Sequence, residues 1–230
     1  MFATDEASSR QPELVAAASA AGVPWKRATA GVLNHLTDTV TPQGVVAVCQ
    51  MPEPQQAESV VTAESRLVVV LAQVRDPGNA GTVIRLADAA GADAVLLTAG
   101  SVDPFNPKCV RASAGSIFHL PVLPDAGDAD AVIDGLRGHG LQVLAADGHG
   151  ARGLDQLVDD ELGKPTAWVL GNEAWGLPEA LRDACDAAVA VPIYGRAESL
   201  NLAAAAAVCI YATARAQHSW RGADHAASGH

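Results

Sequence analysis

From Arg66 onward the chain alternates short, continuously apolar runs with segments of helical pattern, and no other feature of the sequence restricts its fold as much. The runs Leu67–Val74, Asp93–Thr98, Phe118–Val122, Leu141–Ala146, Thr166–Leu170 and Ala187–Val191 have strand length. Their apolar residues are consecutive, so both faces of each strand are buried, as in a parallel sheet covered by helices. Helices are expected between them near Ala80–Ala90, Pro107–Ala114, Ala129–His139 and Pro178–Ala184, with a last one over Leu200–Gln217. The expected fold class is α/β, a doubly wound parallel sheet over residues 66–217 with helices on both faces. Its strands end in loops at the carboxyl edge, where open α/β sheets bind ligands.

The residues before this domain differ in character. Met51-Pro52-Glu53-Pro54-Gln55-Gln56 is rich in Pro and Gln, so 53–65 is expected to be a linker. Residues 1–52 then form a small, partial α/β module, with a helix around Pro12–Ala21, a strand at Val23–Lys26, a short helix at Ala30–Leu36 and a strand at Gly44–Cys49. So few large apolar groups make a marginal core. The tail 218–230 is polar and built of small residues, and is expected to be disordered.

Composition narrows the function classes. At 49% apolar and 18% charged, the chain falls outside the fibrous and disordered classes. Its longest apolar stretch, Leu200–Ile210, is too short to span a bilayer, and the N-terminus has no basic flank or apolar leader. A cytoplasmic location without membrane contact is expected. The cysteines Cys49, Cys109, Cys185 and Cys209 show no C-x-x-C spacing and no paired His, so reduced structural thiols and no metal site are expected. A net charge of -11 argues against nucleic-acid binding over the whole surface, DNA included. Basic residues nevertheless gather between Arg66 and Arg111 (Arg66, Arg75, Arg85, Lys108, Arg111), which leaves room for a local RNA-binding face.

Three segments carry chemistry. Gln73-Val74-Arg75-Asp76-Pro77-Gly78-Asn79-Ala80-Gly81-Thr82-Val83-Ile84-Arg85 follows a strand and opens a helix. Its glycines do not make G-x-G-x-x-G, so a dinucleotide fingerprint is absent. Taken alone, it also suits Asn79 as an N-cap with Arg85 a solvated helix residue. Val169-Leu170-Gly171-Asn172-Glu173-Ala174-Trp175-Gly176-Leu177-Pro178 runs from a buried strand into glycines that let a ligand approach the backbone. An ordinary strand-to-helix turn with Pro178 in the first helical turn fits it equally. Val191-Pro192-Ile193-Tyr194-Gly195-Arg196-Ala197-Glu198-Ser199-Leu200-Asn201-Leu202 leads into an alanine-rich helix, with Ser199 as a plausible N-cap.

Together and in this order, the segments closely resemble the signature motifs of the SpoU/TrmH family of the SPOUT superfamily, RNA ribose 2′-O-methyltransferases that use S-adenosylmethionine. Asn79, Gly81 and Arg85 match the first motif, Gly171-Asn172-Glu173 with Gly176-Leu177 the second, and Glu198-Ser199-Leu200-Asn201 the third. The resemblance covers roughly residues 66–215. Residues 1–50, with Asp38-Thr39-Val40-Thr41-Pro42-Gln43-Gly44, resemble the end of the ribosomal-protein-like substrate-binding domain of rRNA-modifying members, with its opening strand and helix expected to be missing.

The resemblance implies a C-terminal deep trefoil knot and a homodimer formed through it. It places the cofactor, S-adenosylmethionine, on Ala145, Ala146, Gly148, Leu170, Gly171, Asn172, Ile193, Leu200 and Leu202. It assigns catalysis to Arg85, with Asn79, Glu173, Ser199 and Asn201 shaping the site, and RNA contacts to Arg75, Lys108 and Arg111. An arginine is a poor general base, because its pKa exceeds about 12, so Arg85 is expected to grip a phosphate and orient the ribose hydroxyl. Large-subunit (23S) rRNA is the expected substrate, with tRNA the rival. The missing glycine fingerprint argues against a nucleotide-dependent oxidoreductase. Retention of Arg85, Glu173, Ser199 and Asn201 argues against a non-catalytic RNA-binding protein.

Overall fold

The computed structural model describes residues 1–37, 42–53 and 56–218. Asp38–Thr41 of the quoted N-terminal stretch and nearly all of the expected disordered tail lie outside them. The chain divides into two compact units, Met1–Pro54 and Gln55–His230.

The first unit runs β1 (Phe2–Ala3), α1 (Asp5–Arg10), α2 (Pro12–Ala20), β2 (Lys26–Arg27), α3 (Ala30–Leu36) and β3 (Val45–Val46). Its sheet has the order β2-β1-β3, with β1 parallel to β2 and antiparallel to β3. Residues 2–10, for which no element is expected, supply the central strand and a helix. Thr4 caps that helix by accepting from the Ala7 N–H at 3.1 Å. A two-residue strand carries no hydrophobic period and so leaves no signal in the sequence. The expected strands at Val23–Lys26 and Gly44–Cys49 shrink to Lys26–Arg27 and Val45–Val46. The core is small, with Ala3, Ala7 and Leu33 fully buried.

The second unit runs α4 (Ala57–Val60), β4 (Leu67–Leu71), α5 (Pro77–Ala89), β5 (Ala94–Leu97), α6 (Pro107–Ala112), β6 (Val122–Leu123), α7 (Ala129–Gly138), β7 (Gln142–Ala146), β8 (Arg152–Gly153), α8 (Asp159–Leu162), β9 (Thr166–Leu170), α9 (Glu179–Ala184), β10 (Ala187–Ala190) and α10 (Leu202–Gln217). Every strand pairs in parallel, in the order β6-β5-β4-β9-β7-β10-β8. Central β4 and β9 are buried along their whole length. One apolar layer packs α5 and α10 on the sheet, and the other packs α7 and α9. Trp168 of β9 is fully buried, and its indole N–H donates to the Thr213 hydroxyl of α10 at 2.9 Å.

Three expectations change here. The strand expected at Phe118–Val122 is only Val122–Leu123: Ser116–Phe118 is a short 3-10 turn, Phe118 is exposed, and Pro121 has no N–H for the ladder. The run expected to reach Val74 stops at Leu71, because Gln73 takes a left-handed φ of 55° and turns the chain out of the sheet. The segment expected as a linker holds α4, and Val61 after it is buried against the sheet.

The chain enters β4, moves outward through β5 and β6, then returns to fill the other side with β7, β9 and β10. The reversal lies between β4 and β9. Crevices at the carboxyl ends of strands flanking such a switch point are where open α/β sheets bind ligands.

Candidate functional site

The carboxyl ends of β4 and β9 release the first two motifs side by side. Asp76 caps α5, its carboxylate accepting from the Asn79 N–H at 2.8 Å, and Pro77 opens the helix. The helix thus starts three residues before the expected Ala80, and Asn79 is not its cap. Freed from that task, the Asn79 amide donates to Glu173 Oε1 at 3.3 Å and accepts from Asn201 Nδ2 at 3.3 Å. Asn201 in turn caps α10 by accepting from the Ala203 N–H at 2.9 Å. The last helix therefore begins at Leu202 instead of Leu200, and Ser199 is not its cap.

Glu173 is the hub. Its Oε1 also accepts from the Asp76 N–H at 3.1 Å, and its Oε2 from the Arg75 N–H at 3.3 Å. The neighbouring Asn172, 5% exposed, donates to the Gln73 carbonyl at 2.7 Å and accepts from the Ala174 N–H at 2.8 Å. Two adjacent side chains of the second motif thus tie down the backbone of the first. Lys108 pairs with Asp76 at 2.9 Å, and this bond is the main reason the Asp76 carboxyl titrates below its ordinary range.

Glycines here serve close approach. A Cβ on Gly171 would lie 2.4–2.6 Å from the backbone of Gly176 and Leu177, so a side chain would push the loop apart. Gly81 has a different purpose, since a Cβ there would lie 2.3 Å from the Cys109 carbonyl. It seats α5 on α6 and meets no ligand space.

Beyond the second motif opens a cleft of about 970 Å³, bounded by the ends of β7, β9 and β10 and by the third motif. That volume lies within the range common for small-molecule sites, about 300–1,000 Å³. Of the expected cofactor residues, Ala146, Gly148, Gly171, Asn172, Ile193, Leu200 and Leu202 line it. Ala145 and Leu170 do not; they are 0% and 1% exposed within the sheet. Glu173 and Ser199 are on the wall, and Asn79 and Asn201 reach the same network through their side chains.

Arg85 stands apart. It is exposed on α5, outside the cleft lining, and six residues past Asn79, about 9 Å along the axis at 1.5 Å per residue. Among the described residues no carboxylate pairs with it. The expected RNA contacts also divide: Arg75, Lys108 and Arg111 are exposed, but Lys108 already has Asp76 as a partner. Arg66 opens β4 and so lies at the amino edge of the sheet, opposite the cleft. The basic run is therefore not one face.

Asp147 and Trp175 also line the cleft, and neither is among the residues expected from the sequence. The Asp147 carboxylate is 8% exposed and accepts from the His149 N–H at 2.8 Å. Its one signal was its place as the first polar residue after a buried strand. Trp175 had no signal beyond being a large aromatic between two glycines.

Comparison with known proteins bears on this geometry. The SpoU rRNA Methylase family matches residues 66–211, and the family described as RNA 2'-O ribose methyltransferase substrate binding matches residues 1–55. The chain is 42% identical to the 23S rRNA (guanosine(2553)-2'-O)-methyltransferase RlmP of Bacillus subtilis (strain 168) over 77% of this chain and 67% of that protein. It is 35% identical to the 23S rRNA (uridine(2479)-2'-O)-methyltransferase of Streptomyces viridochromogenes over 78% of this chain, and spans 63% of that relative. The crystal structure of the SpoU methyltransferase AviRb from Streptomyces viridochromogenes, in complex with the cofactor AdoMet, superposes with a TM-score of 0.78 at 30% identity. That match covers 95% of this chain and 83% of the other. On the match over residues 66–211, the chain belongs to the SpoU rRNA Methylase family.

Proposed function

We propose that this protein transfers a methyl group from S-adenosylmethionine to a ribose 2′-hydroxyl of RNA, with 23S rRNA as the substrate. The observation that carries the reading is the lock of Glu173 on Arg75, Asp76 and Asn79, which ties the first motif to the wall of a cleft at the carboxyl ends of β7, β9 and β10. The cleft residues fit the cofactor. Asp147, Glu173, Glu179 and Glu198 line it against the single guanidinium of Arg182, a balance that suits a ligand bearing a sulfonium and an ammonium. Gly148 on the wall, with open space beside its Cα, leaves its backbone accessible to a ligand. Relatives named as 23S rRNA 2'-O-methyltransferases and the cofactor in the AviRb crystal support the same choice.

S-adenosylmethionine supplies an electrophilic methyl group. Held by Ala146, Gly148, Gly171, Ile193, Leu200 and Leu202, the cofactor would leave as the neutral thioether once the ribose oxygen had taken the methyl group, and the hydroxyl proton would pass to solvent water. Glu173 is a poor candidate to take that proton, because both its oxygens already accept N–H bonds that hold two loops in place. It is a positioning residue. Arg85 carries its charge without a partner among the described residues, and acts on the phosphate beside the target ribose, steadying the hydroxyl as it loses its proton. Ser199 and Asn201 shape the third wall, and Ala145 and Leu170 support it from within the sheet.

The same reading includes a deep knot formed by the C-terminal strands, a cytoplasmic setting, and a homodimer. The outer face of α10 presents Val208 and Tyr211, 43% and 46% exposed, as a surface for a second copy. Light scattering at micromolar concentration is expected to give twice the chain mass, and a monomer in an active preparation excludes the dimer. Residues 1–52 serve as an RNA-binding module. For the cofactor, calorimetry with S-adenosylhomocysteine in the presence of a chelator is expected to show one site per chain. Folded protein that does not bind removes the reading.

A further inference from the structure

The loop Gly171–Gly176 carries an indole that the methyl-transfer reading leaves unused. Trp175 is 51% exposed and forms part of the cleft wall. The Arg75 guanidinium lies over its ring, 5.2 Å from the centroid. That is cation–π geometry, and between solvent-exposed partners it contributes only about 0.5–1 kcal/mol. The attraction alone therefore does not account for an exposed tryptophan at this place.

The two partners are held by other bonds. Asn172 grips the Gln73 carbonyl, and Glu173 accepts from the N–H groups of Arg75 and Asp76 and from the Asn79 amide. These four hydrogen bonds join the loop that carries Trp175 to the loop that carries Arg75. Among the described residues no carboxylate pairs with the Arg75 guanidinium, whereas nearby Lys108 is paired with Asp76. A flat π surface and an unneutralised planar cation thus stand together on two loops tied to one another, beside a cleft lined by four carboxylates and one guanidinium.

The exposed half of the indole can stack a nucleobase of any identity, and the guanidinium over its ring can neutralise the phosphate of the same nucleotide. We propose that Trp175 and Arg75 form a stacking platform for one unpaired nucleobase of the RNA, the neighbour of the nucleotide whose ribose receives the methyl group. This rests on the reading of the protein as an RNA methyltransferase. The platform holds the RNA strand across the mouth of the cleft without reading its sequence, because the contact uses the π face and not the base edges.

The test compares wild type, Trp175→Ala, Trp175→Phe and Arg75→Ala in binding an in vitro transcript of 23S rRNA, with S-adenosylhomocysteine affinity measured in parallel. Trp175→Ala is expected to weaken transcript binding by roughly ten-fold, within the range for loss of one base–aromatic stack. Trp175→Phe keeps an aromatic face and is expected to stay within about three-fold of wild type. Arg75→Ala is expected to lower the salt dependence by about one phosphate contact. In Trp175→Ala, transcript binding is expected to fall by a larger factor than S-adenosylhomocysteine affinity, since half of the indole is exposed beyond the cleft wall; in Arg75→Ala, whose residue does not line the cleft, cofactor-product affinity should not move. Transcript binding that is unchanged in Trp175→Ala overturns the platform. So does a loss of S-adenosylhomocysteine affinity as large as the loss of transcript binding, which would assign the indole to the cofactor alone. Wild type that binds the transcript but transfers no methyl group counts against the methyltransferase reading alone, and the Trp175→Ala loss then still decides the platform.

Discussion

Asn79 shows how one residue's role is decided by its neighbour. Because Asp76 satisfies the helix terminus, the Asn79 amide can link Glu173 to Asn201, and so joins all three motifs. From the sequence Asn79 is the expected cap, and the start of α5 at Pro77 gives that place to Asp76. Asp76 also gives a signed pH dependence. Its pKa is lowered, chiefly by Lys108 and then by the Asn79 N–H, so its contribution is present above the ordinary 3.8 and lost as pH falls through the lowered value. Asp76→Asn should therefore melt lower than wild type at neutral pH, and the gap should close under acid. A gap independent of pH would show that the Lys108 pair is not its source. Arg85 is the residue whose assignment rests most on resemblance. Arg85→Ala is expected to lower methyl transfer by at least about a hundred-fold with S-adenosylhomocysteine affinity unchanged, the mark of an interaction realised in the transition state. Activity within a few-fold of wild type excludes the role.

Among the elements, legibility followed length and period. Strands β4, β7 and β9 are each five consecutive buried or half-buried positions and were readable, as was α3 over Ala30–Leu36. β8 at Arg152–Gly153 and β1 at Phe2–Ala3 were not, since two residues have no period and their pairing is decided by distant strands. The motif loops were readable as glycine-rich strand ends, but the cleft wall was not: Asp147 and Trp175 belong to no spacing pattern. Gly171 is where loop and strand are most tightly joined. Gly171→Ala puts a methyl group 2.4 Å from the Gly176 carbonyl carbon, with backbone on the far side that cannot yield. Overpacking of this kind costs about 1–3 kcal/mol, so a lower melting temperature and loss of S-adenosylhomocysteine binding are expected together. Full binding with an unchanged melting curve would show that the loop can open without cost.

Across the whole molecule the charge distribution limits what the larger unit can do alone. With a net charge of -11 on the chain and Lys108 already paired, few cations near the cleft remain for phosphates, and binding through them should be weak and sensitive to salt. In the first unit Arg10 lies near Glu6 and Arg27 pairs with Asp5, while Lys26, over the neutral Phe2 ring, keeps its charge, so the unit adds little free positive charge beyond that one lysine. Its contribution should come from shape and local contacts instead of bulk attraction. Removing residues 1–52 is expected to raise the RNA concentration for half-maximal rate several-fold and leave cofactor affinity constant. Unchanged RNA affinity and rate after the deletion would make that unit dispensable, and would put tRNA on equal terms with rRNA.

The central claim is that the cleft delivers a methyl group to a ribose oxygen. It is tested most directly by incubating an unmodified 23S rRNA transcript with the protein and isotope-labelled S-adenosylmethionine in the presence of a chelator. The RNA is then digested to nucleosides and the labelled product identified by mass spectrometry. The account predicts one 2′-O-methylated nucleoside, labelled on the sugar and absent with Arg85→Ala. A label on a base, or none at all from protein that binds S-adenosylhomocysteine, would contradict it.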